Sequence, residues 1–318
     1  MATVDTLAKQ LEKITQKHEQ QHAAPPKELP TDVVEWAAAV GLSYDPWQLQ
    51  IMRAVEASQK NRKPLRIAAA TGRQLGKSLT AACCALYVAE TRKNATVLIC
   101  SPSQRQSILM LRRVAQLFHA QGSAAPKAVS ESATMLKLSN NSWIVAVPGG
   151  SEQTVRGFSS INCLITDESA SVGTDLWNSV TPMCGTVPDN IILCIGTPRG
   201  SRSWFWKTCT TPDNGWLKFE IKATDVPHRI PPSFLAEEKL RLGPFFEREY
   251  MVNWKSSNED SIFRAESVAR CITDGDTLEW LLDPIVDGVS QEPVADDSEV
   301  DEIDELGLDF EDDEFRER

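Results

Sequence analysis

Eight consecutive residues, Thr71-Gly72-Arg73-Gln74-Leu75-Gly76-Lys77-Ser78, combine small residues with a lysine and a hydroxyl. That combination suits a phosphate chain. Small residues let backbone N–H groups turn inward, and a helix starting where the loop ends adds the positive end of its dipole. Lys77 would reach the β- and γ-phosphates, and the Ser78 hydroxyl would take Mg²⁺. The segment departs from GxxxxGK[ST] at one point, since Thr71 holds the first glycine position and Gly72 comes one place late. A second signal is Asp167-Glu168, two acids closing the apolar run Ile161–Thr166. Asp167 suits holding Mg²⁺ through its water shell, and Glu168 suits activating water as a general base. A third run, Ile192–Ile195, leads into Gly196-Thr197-Pro198-Arg199-Gly200, where Thr197 could sense a γ-phosphate. Each signal has a plainer reading: a surface loop, a strand end with solvated acids, a loop exit shaped by Gly and Pro. Together they favour a nucleotide site.

The flanking sequence supplies elements to position these groups. Leu65–Ala70 is a short apolar run ahead of the glycine-containing turn, and Ser78–Glu90 is apolar almost all round, as a buried helix is. Ala95–Cys100 reads as a strand, and Ser103–Phe118 as an amphipathic helix with Ile108, Leu111, Ala115 and Phe118 on one face. Thr134–Val147 reads as a hairpin around a Ser-Asn-Asn-Ser turn. Ile161–Thr166 and Ile191–Gly196 are strands of the fully buried type. Strands alternating with helices predict an α/β fold, a mostly parallel sheet with helices on both faces. In such sheets ligands bind at the C-terminal strand ends, where all three signals lie. After Pro198, Trp204, Phe205, Trp206, Trp216 and Phe219 predict an aromatic cluster in a small appended subdomain, with helices at Ser233–Leu242 and Phe245–Trp254.

Composition removes other classes. No apolar run approaches the roughly 20 residues of a spanning helix, and the N-terminus has no apolar signal region. Eight cysteines form no CxxC pair; Cys83, Cys84, Cys100, Cys163 and Cys194 lie in apolar runs, as reduced, buried thiols of a cytosolic protein do. Four scattered histidines give no zinc spacing. The net charge of −11 is concentrated at one end, with 14 Asp/Glu against 2 Arg in residues 292–318. A near-neutral body leaves nucleic acid open as a partner.

In order, GRQLGKS, ICSPSQRQS, TVRGFSS ahead of LITDESA, IGTPRG and FEREYMVNW resemble the ATPase part of the large terminase subunits of tailed bacteriophages, over about residues 40–263. The resemblance implies a RecA-like, additional-strand P-loop ATPase with ATP and Mg²⁺. It implies a motor that drives double-stranded DNA into a preformed capsid as a homo-oligomeric ring, usually a pentamer. The partners it implies are the portal protein, the small terminase subunit and a nuclease, and the place of action is the host cytoplasm. It assigns Gln48, in Asp45-Pro46-Trp47-Gln48, to contacting the adenine base; Asp45 and Pro46 also suit the start of a helix. It makes Arg73 a candidate γ-phosphate contact and Arg156 an arginine finger given to a neighbouring subunit, while Thr71, Gly72, Gln74 and Gly76 shape the loop.

The expected organisation is a helical arm and linker over 1–30, with Val4, Leu7, Leu11 and Ile14 on one stripe, then an ATPase core over 31–198. A lid or linker subdomain over 199–265 and an acidic, disordered tail over 266–318 follow. Large terminases usually continue into an RNase H-like nuclease. The residues after Phe263 are too few for one, so no nuclease activity is expected of this chain alone. Arg105, Arg112 and Arg113, with Arg199, Arg202 and Lys207, are candidate phosphate contacts to DNA. Two alternatives are a helicase-like DNA remodeller and a non-hydrolysing, nucleotide-binding assembly subunit.

Overall fold

The structure, a computed structural model, describes residues 29–122, 126–148, 157–200 and 203–254. Eight strands form one sheet: β1 (Leu65–Thr71), β2 (Thr96–Ser101), β3 (Ala128–Glu131), β4 (Met135–Leu138), β5 (Trp143–Pro148), β6 (Cys163–Asp167), β7 (Ile191–Gly196) and β8 (Leu217–Ile221). Their spatial order is β3-β4-β5-β2-β6-β7-β1-β8. Every pair from β5 across to β8 is parallel, and β3 and β4 add an antiparallel edge.

The sequence fits this arrangement residue by residue. Strands covered on both faces lose the polar alternation of a half-exposed sheet, and β6 and β7 are buried along their whole length. Successive residues serve opposite faces. Ile67, Ala69, Leu193 and Ile195 enter one core, while Ala68, Ile192 and Cys194 enter the other.

The larger core lies under α1 (Val33–Ala39), α2 (Pro46–Asn61), α3 (Lys77–Thr91) and α4 (Gln104–Ala120). Fully buried Trp36, Ile51 and Met52 bind α1 and α2 to it. Each such side chain contributes about 1.5–3 kcal/mol of burial. In α3 the small residues Ala81, Ala82, Cys83, Cys84 and Ala85 are fully buried, so the helix can approach the sheet closely. The other core lies under α5 (Thr174–Val180) and α6 (Trp204–Thr210). The expected aromatic cluster forms here in part. Trp204 stacks on Trp177 at 4.0 Å between centroids, Trp216 tilts against Trp177, and Phe205 is fully buried. Phe219 packs against the larger core instead.

Two further helices, α7 (Pro232–Leu242) and α8 (Phe245–Met251), follow β8. The segment after residue 198 does more than append a subdomain. β8 is hydrogen-bonded in parallel with β1, so the sheet continues past that boundary. The last helix ends at Met251, short of the expected Trp254, because Val252 takes a left-handed backbone. The arm over 4–18 and the acidic tail lie outside the described residues. The seven described cysteines carry free thiols, and six are buried. Among the described residues no helix is long and apolar enough to cross a membrane.

Candidate active site

Strand register brings the three sequence signals together. β6, β7 and β1 are adjacent, with Asp167 opposite Ile195 and Ala70 opposite Gly196. Two strand spacings of about 4.8 Å put the acid pair on β6 roughly 10 Å from the loop that leaves β1. The end of β7, carrying Thr197, lies between them. A cleft of about 1040 Å³ opens there, lined by Gln74, Lys77, Ser78, Glu168 and Thr197 among others. That volume lies at the upper end of ordinary ligand pockets, roughly 300–1,000 Å³.

The loop is held from outside its own segment. Gly72 N donates to Ile221 O of β8 at 2.9 Å, and Arg73 N donates to Glu249 O of α8 at 2.8 Å. A side chain at position 72 would meet Tyr250 O at 2.9 Å, so only glycine lets the loop approach α8. Gln74 and Gly76 both have left-handed backbone, with φ of 61° and 98°. That conformation costs about 1–2 kcal/mol for a residue with a Cβ. Gly76 is the N-cap of α3, so the dipole of that 15-residue helix points into the cleft.

The charged groups are positioned for a polyanion and a hard cation. Lys77 is buried, and its Nζ donates to Thr197 Oγ1 at 2.7 Å and to Gly72 O at 3.2 Å. Burial holds its pKa below the usual lysine value, while Glu168 and Asp167 pull it the other way. Ser78 Oγ donates to Asp167 Oδ2 at 3.2 Å. Burial first, and then the charge of Glu168, pushes the Asp167 carboxyl up to about 6. Its Oδ1 is buried without a hydrogen-bond partner. An orphaned carboxylate oxygen beside a hydroxyl fits Mg²⁺, which uses one or two carboxylates and completes its shell with phosphate and water. Among the described residues no group of three or more His, Cys, Asp and Glu could hold a metal. Ser78 and Asp167 would therefore hold the ion only together with such added oxygens.

Glu168 lines the cleft on a left-handed backbone, φ 51°, just past the strand end. The turn behind it is tied down by Ser169 Oγ, which donates to Thr166 O and approaches Ile195 O at 3.0 Å. A side chain at Gly196 would meet Ser169 N at 2.9 Å, so the β7 exit is glycine for close approach.

Other expected residues lie differently. Gln48 is buried against the loop and is not among the residues that line the cleft. Its Nε2 donates to Thr80 Oγ1 at 2.9 Å and Gly76 O at 3.4 Å, and its Oε1 accepts from Asp45 N and Arg229. That uses the two donors and two acceptor sites of an amide. Thr71 is fully buried, its hydroxyl on Gly72 O, so it supports the loop from beneath. Arg73 lines the cleft but is ion-paired with the buried carboxylate of Glu249, which also pairs with Arg248. Arg113 and Arg199 line this cleft too, where DNA contacts were expected of them, and Arg199 donates to Ser171 Oγ at 3.2 Å. Arg105, Arg112 and Lys207 are not in its wall. Arg156 and Arg202 lie outside the described residues.

Sequence reasoning missed Glu249, Arg248, Arg229 and Asp45 as parts of the site. The FEREYMVNW string pointed to the segment of the first two, without roles for its charges.

The fold can be compared with solved structures. The Thermus phage P74-26 large terminase ATPase domain superposes with a TM-score of 0.58 at 21% identity, over 69% of this chain and 97% of that one. The fold is that of the large terminase ATPase domain. The large terminase of a thermophilic bacteriophage, in complex with ADP, has a TM-score of 0.54 at 15% identity, over 67% of this chain and 54% of that one. The HK97 bacteriophage large terminase has a TM-score of 0.55 at 16% identity, over 67% of this chain and 51% of that one. The chain thus spans about half the length of those two terminases. No protein-family model matches the sequence. No curated protein matches it either. The likeness to terminases is carried by the fold.

Proposed function

We propose that the chain is a Mg²⁺-dependent ATPase and the motor subunit that translocates double-stranded viral DNA into a preformed capsid. The observation that carries this reading is the meeting of Lys77, Ser78–Asp167, Glu168 and Thr197 around one cleft at the ends of three adjacent strands. In it, Lys77 and the N–H groups of residues 74–78 hold the β- and γ-phosphates. Ser78 and Asp167 would hold the magnesium ion, which would supply positive charge to the phosphate oxygens. Glu168 takes a proton from the attacking water, and Thr197, bonded to Lys77, reports whether the γ-phosphate is in place. Arg73 adds positive charge at the γ-phosphate. Arg156 reaches a neighbouring subunit's site, a role worth on the order of 10³–10⁵ in turnover.

The same reading assigns the partners. They are DNA bound through phosphates, the portal protein, the small terminase subunit, a nuclease and further copies of this chain in a ring, acting in the host cytoplasm. The fold shared with terminase ATPase domains supports it. DNA-stimulated ATP hydrolysis by the wild type and by Glu168→Ala tests it. Loss of a general base lowers turnover by about 10²–10⁴-fold with ATP still bound. Undiminished hydrolysis by the variant would overturn the assignment.

A further inference from the structure

Behind the phosphate loop lies a polar chain that joins segments far apart in sequence. Asp45, ahead of α2, is buried and accepts Arg229 Nε at 2.6 Å on Oδ2 and pairs with His228 Nε2 at 2.7 Å on Oδ1. Arg229 Nη2 reaches Gln48 Oε1 at 3.5 Å. Buried Val226 and Ile230 anchor the segment on either side of Arg229.

These contacts fix the guanidinium in orientation as well as position. Nε and Nη2 lie on one edge, and both donate in the plane of the group, so Asp45 and Gln48 hold that plane. A Cβ placed on Gly76 would lie 3.6 Å from Arg229 Cζ and 3.7 Å from Nη1. A point in the plane of the group at those two distances would lie nearer still to Nη2 or Nε, and neither is among the three nearest atoms. The position therefore lies over the flat face of the group. One face of Arg229 thus packs on the end of the phosphate loop, while the side chain lines the cleft. The Asp45 carboxylate offsets its charge, which weakens it as a phosphate clamp and leaves its flat surface as its main asset.

We propose that Arg229 is the base-stacking residue of this site, presenting its guanidinium plane to the nucleobase of the bound triphosphate while Asp45 sets the angle of the plane. This rests on the nucleotide reading above and adds a protein surface for the base. Guanidinium groups stack on aromatic rings through their faces, an interaction that a lysine ammonium at the same place does not reproduce in shape.

The test compares ATP with inorganic tripolyphosphate, each with Mg²⁺, as ligands of the wild type, Arg229→Ala and Arg229→Lys. Arg229→Lys keeps a cation for Asp45, and thermal melts identify any variant that fails to fold. The expected result is an ATP affinity lower by on the order of tenfold in both variants, with tripolyphosphate affinity unchanged. Equal weakening of both ligands, or rescue by lysine, would make Arg229 a phosphate contact and overturn the proposal. So would wild-type ATP affinity in both variants. A wild-type chain that binds neither ligand would instead remove the nucleotide reading on which this one depends.

Discussion

At the scale of single residues, the site depends on positions whose backbone excludes most side chains. Gly76 shows this most sharply. It combines a φ of 98° with a Cβ position only 2.8 Å from Gln48 Nε2, an amide already committed to Thr80 and to Gly76 itself. Gly76→Ala must therefore bear left-handed strain and displace a buried amide. The expected cost is about 1–3 kcal/mol in urea unfolding, with at least tenfold weaker ATP binding. Wild-type values in both measurements would contradict this account of the loop. Residues of this kind were legible in the sequence where their chemistry is local. Lys77 and Ser78 are neighbours that open the apolar run Ser78–Glu90, and Asp167 and Glu168 are neighbours that close another. The setting of Gln48 was not legible. Its fate depends on Arg229, whose ion pair with Asp45 spans 184 positions. No spacing rule connects residues that only tertiary folding brings together.

At the scale of elements, three helices meet at a buried carboxyl. Glu90, near the end of α3, accepts Trp36 Nε1 of α1 at 2.7 Å and Nε2 of Gln121, which caps α4, at 2.9 Å. Burial pushes its pKa up to about 7, partly offset by those two hydrogen bonds. Glu90 Oε1 and Gln121 Oε1 are both buried without a partner, so the pocket is short of a donor that a proton on Glu90 would supply. The sign follows from linkage. Because the folded-state value is raised, the stability due to this group is complete below the ordinary value of 4.5 and is lost as pH rises through about 7. Glu90→Gln carries a donor at every pH. Its stability relative to wild type should rise between about pH 5 and pH 8, by up to roughly 3 kcal/mol. Urea unfolding across that range checks it, and a constant difference would contradict it. The buried strands and long helices could be read in advance because burial on both faces leaves an unbroken apolar run. β8 was missed for another reason: Leu217, Phe219 and Ile221 alternate with Lys218 and Glu220 as in a half-exposed strand, but Phe219 was assigned to the aromatic cluster.

At the scale of the whole molecule, the fold makes one cleft from parts of very different origin. β1, β6 and β7 present the loop, the acid pair and Thr197 at the same sheet edge. β8 and α8, from the last part of the described chain, grip the loop through Gly72 and Arg73. Arginines 73, 113, 199, 229 and 248 also line the cleft; Glu249 pairs with Arg73 and Arg248 and Asp45 with Arg229, so Arg113 and Arg199 are the ones that add positive charge to that of Lys77. The order of strands and motifs in the sequence anticipated this architecture, because parallel strands must end on the same side. The gripping contacts depend on where the chain returns after Pro198, and only the folded structure shows that. The central claim is that a magnesium-bound triphosphate sits between Lys77 and the acid pair. A crystal structure of the chain with Mg²⁺ and a non-hydrolysable ATP analogue tests it most directly. The expected structure has β- and γ-phosphates within hydrogen-bonding reach of Lys77 Nζ and the amides of residues 74–78, and a cation between Ser78 and Asp167. An analogue bound elsewhere, or with its phosphates out of reach of Lys77 and Asp167, would contradict it.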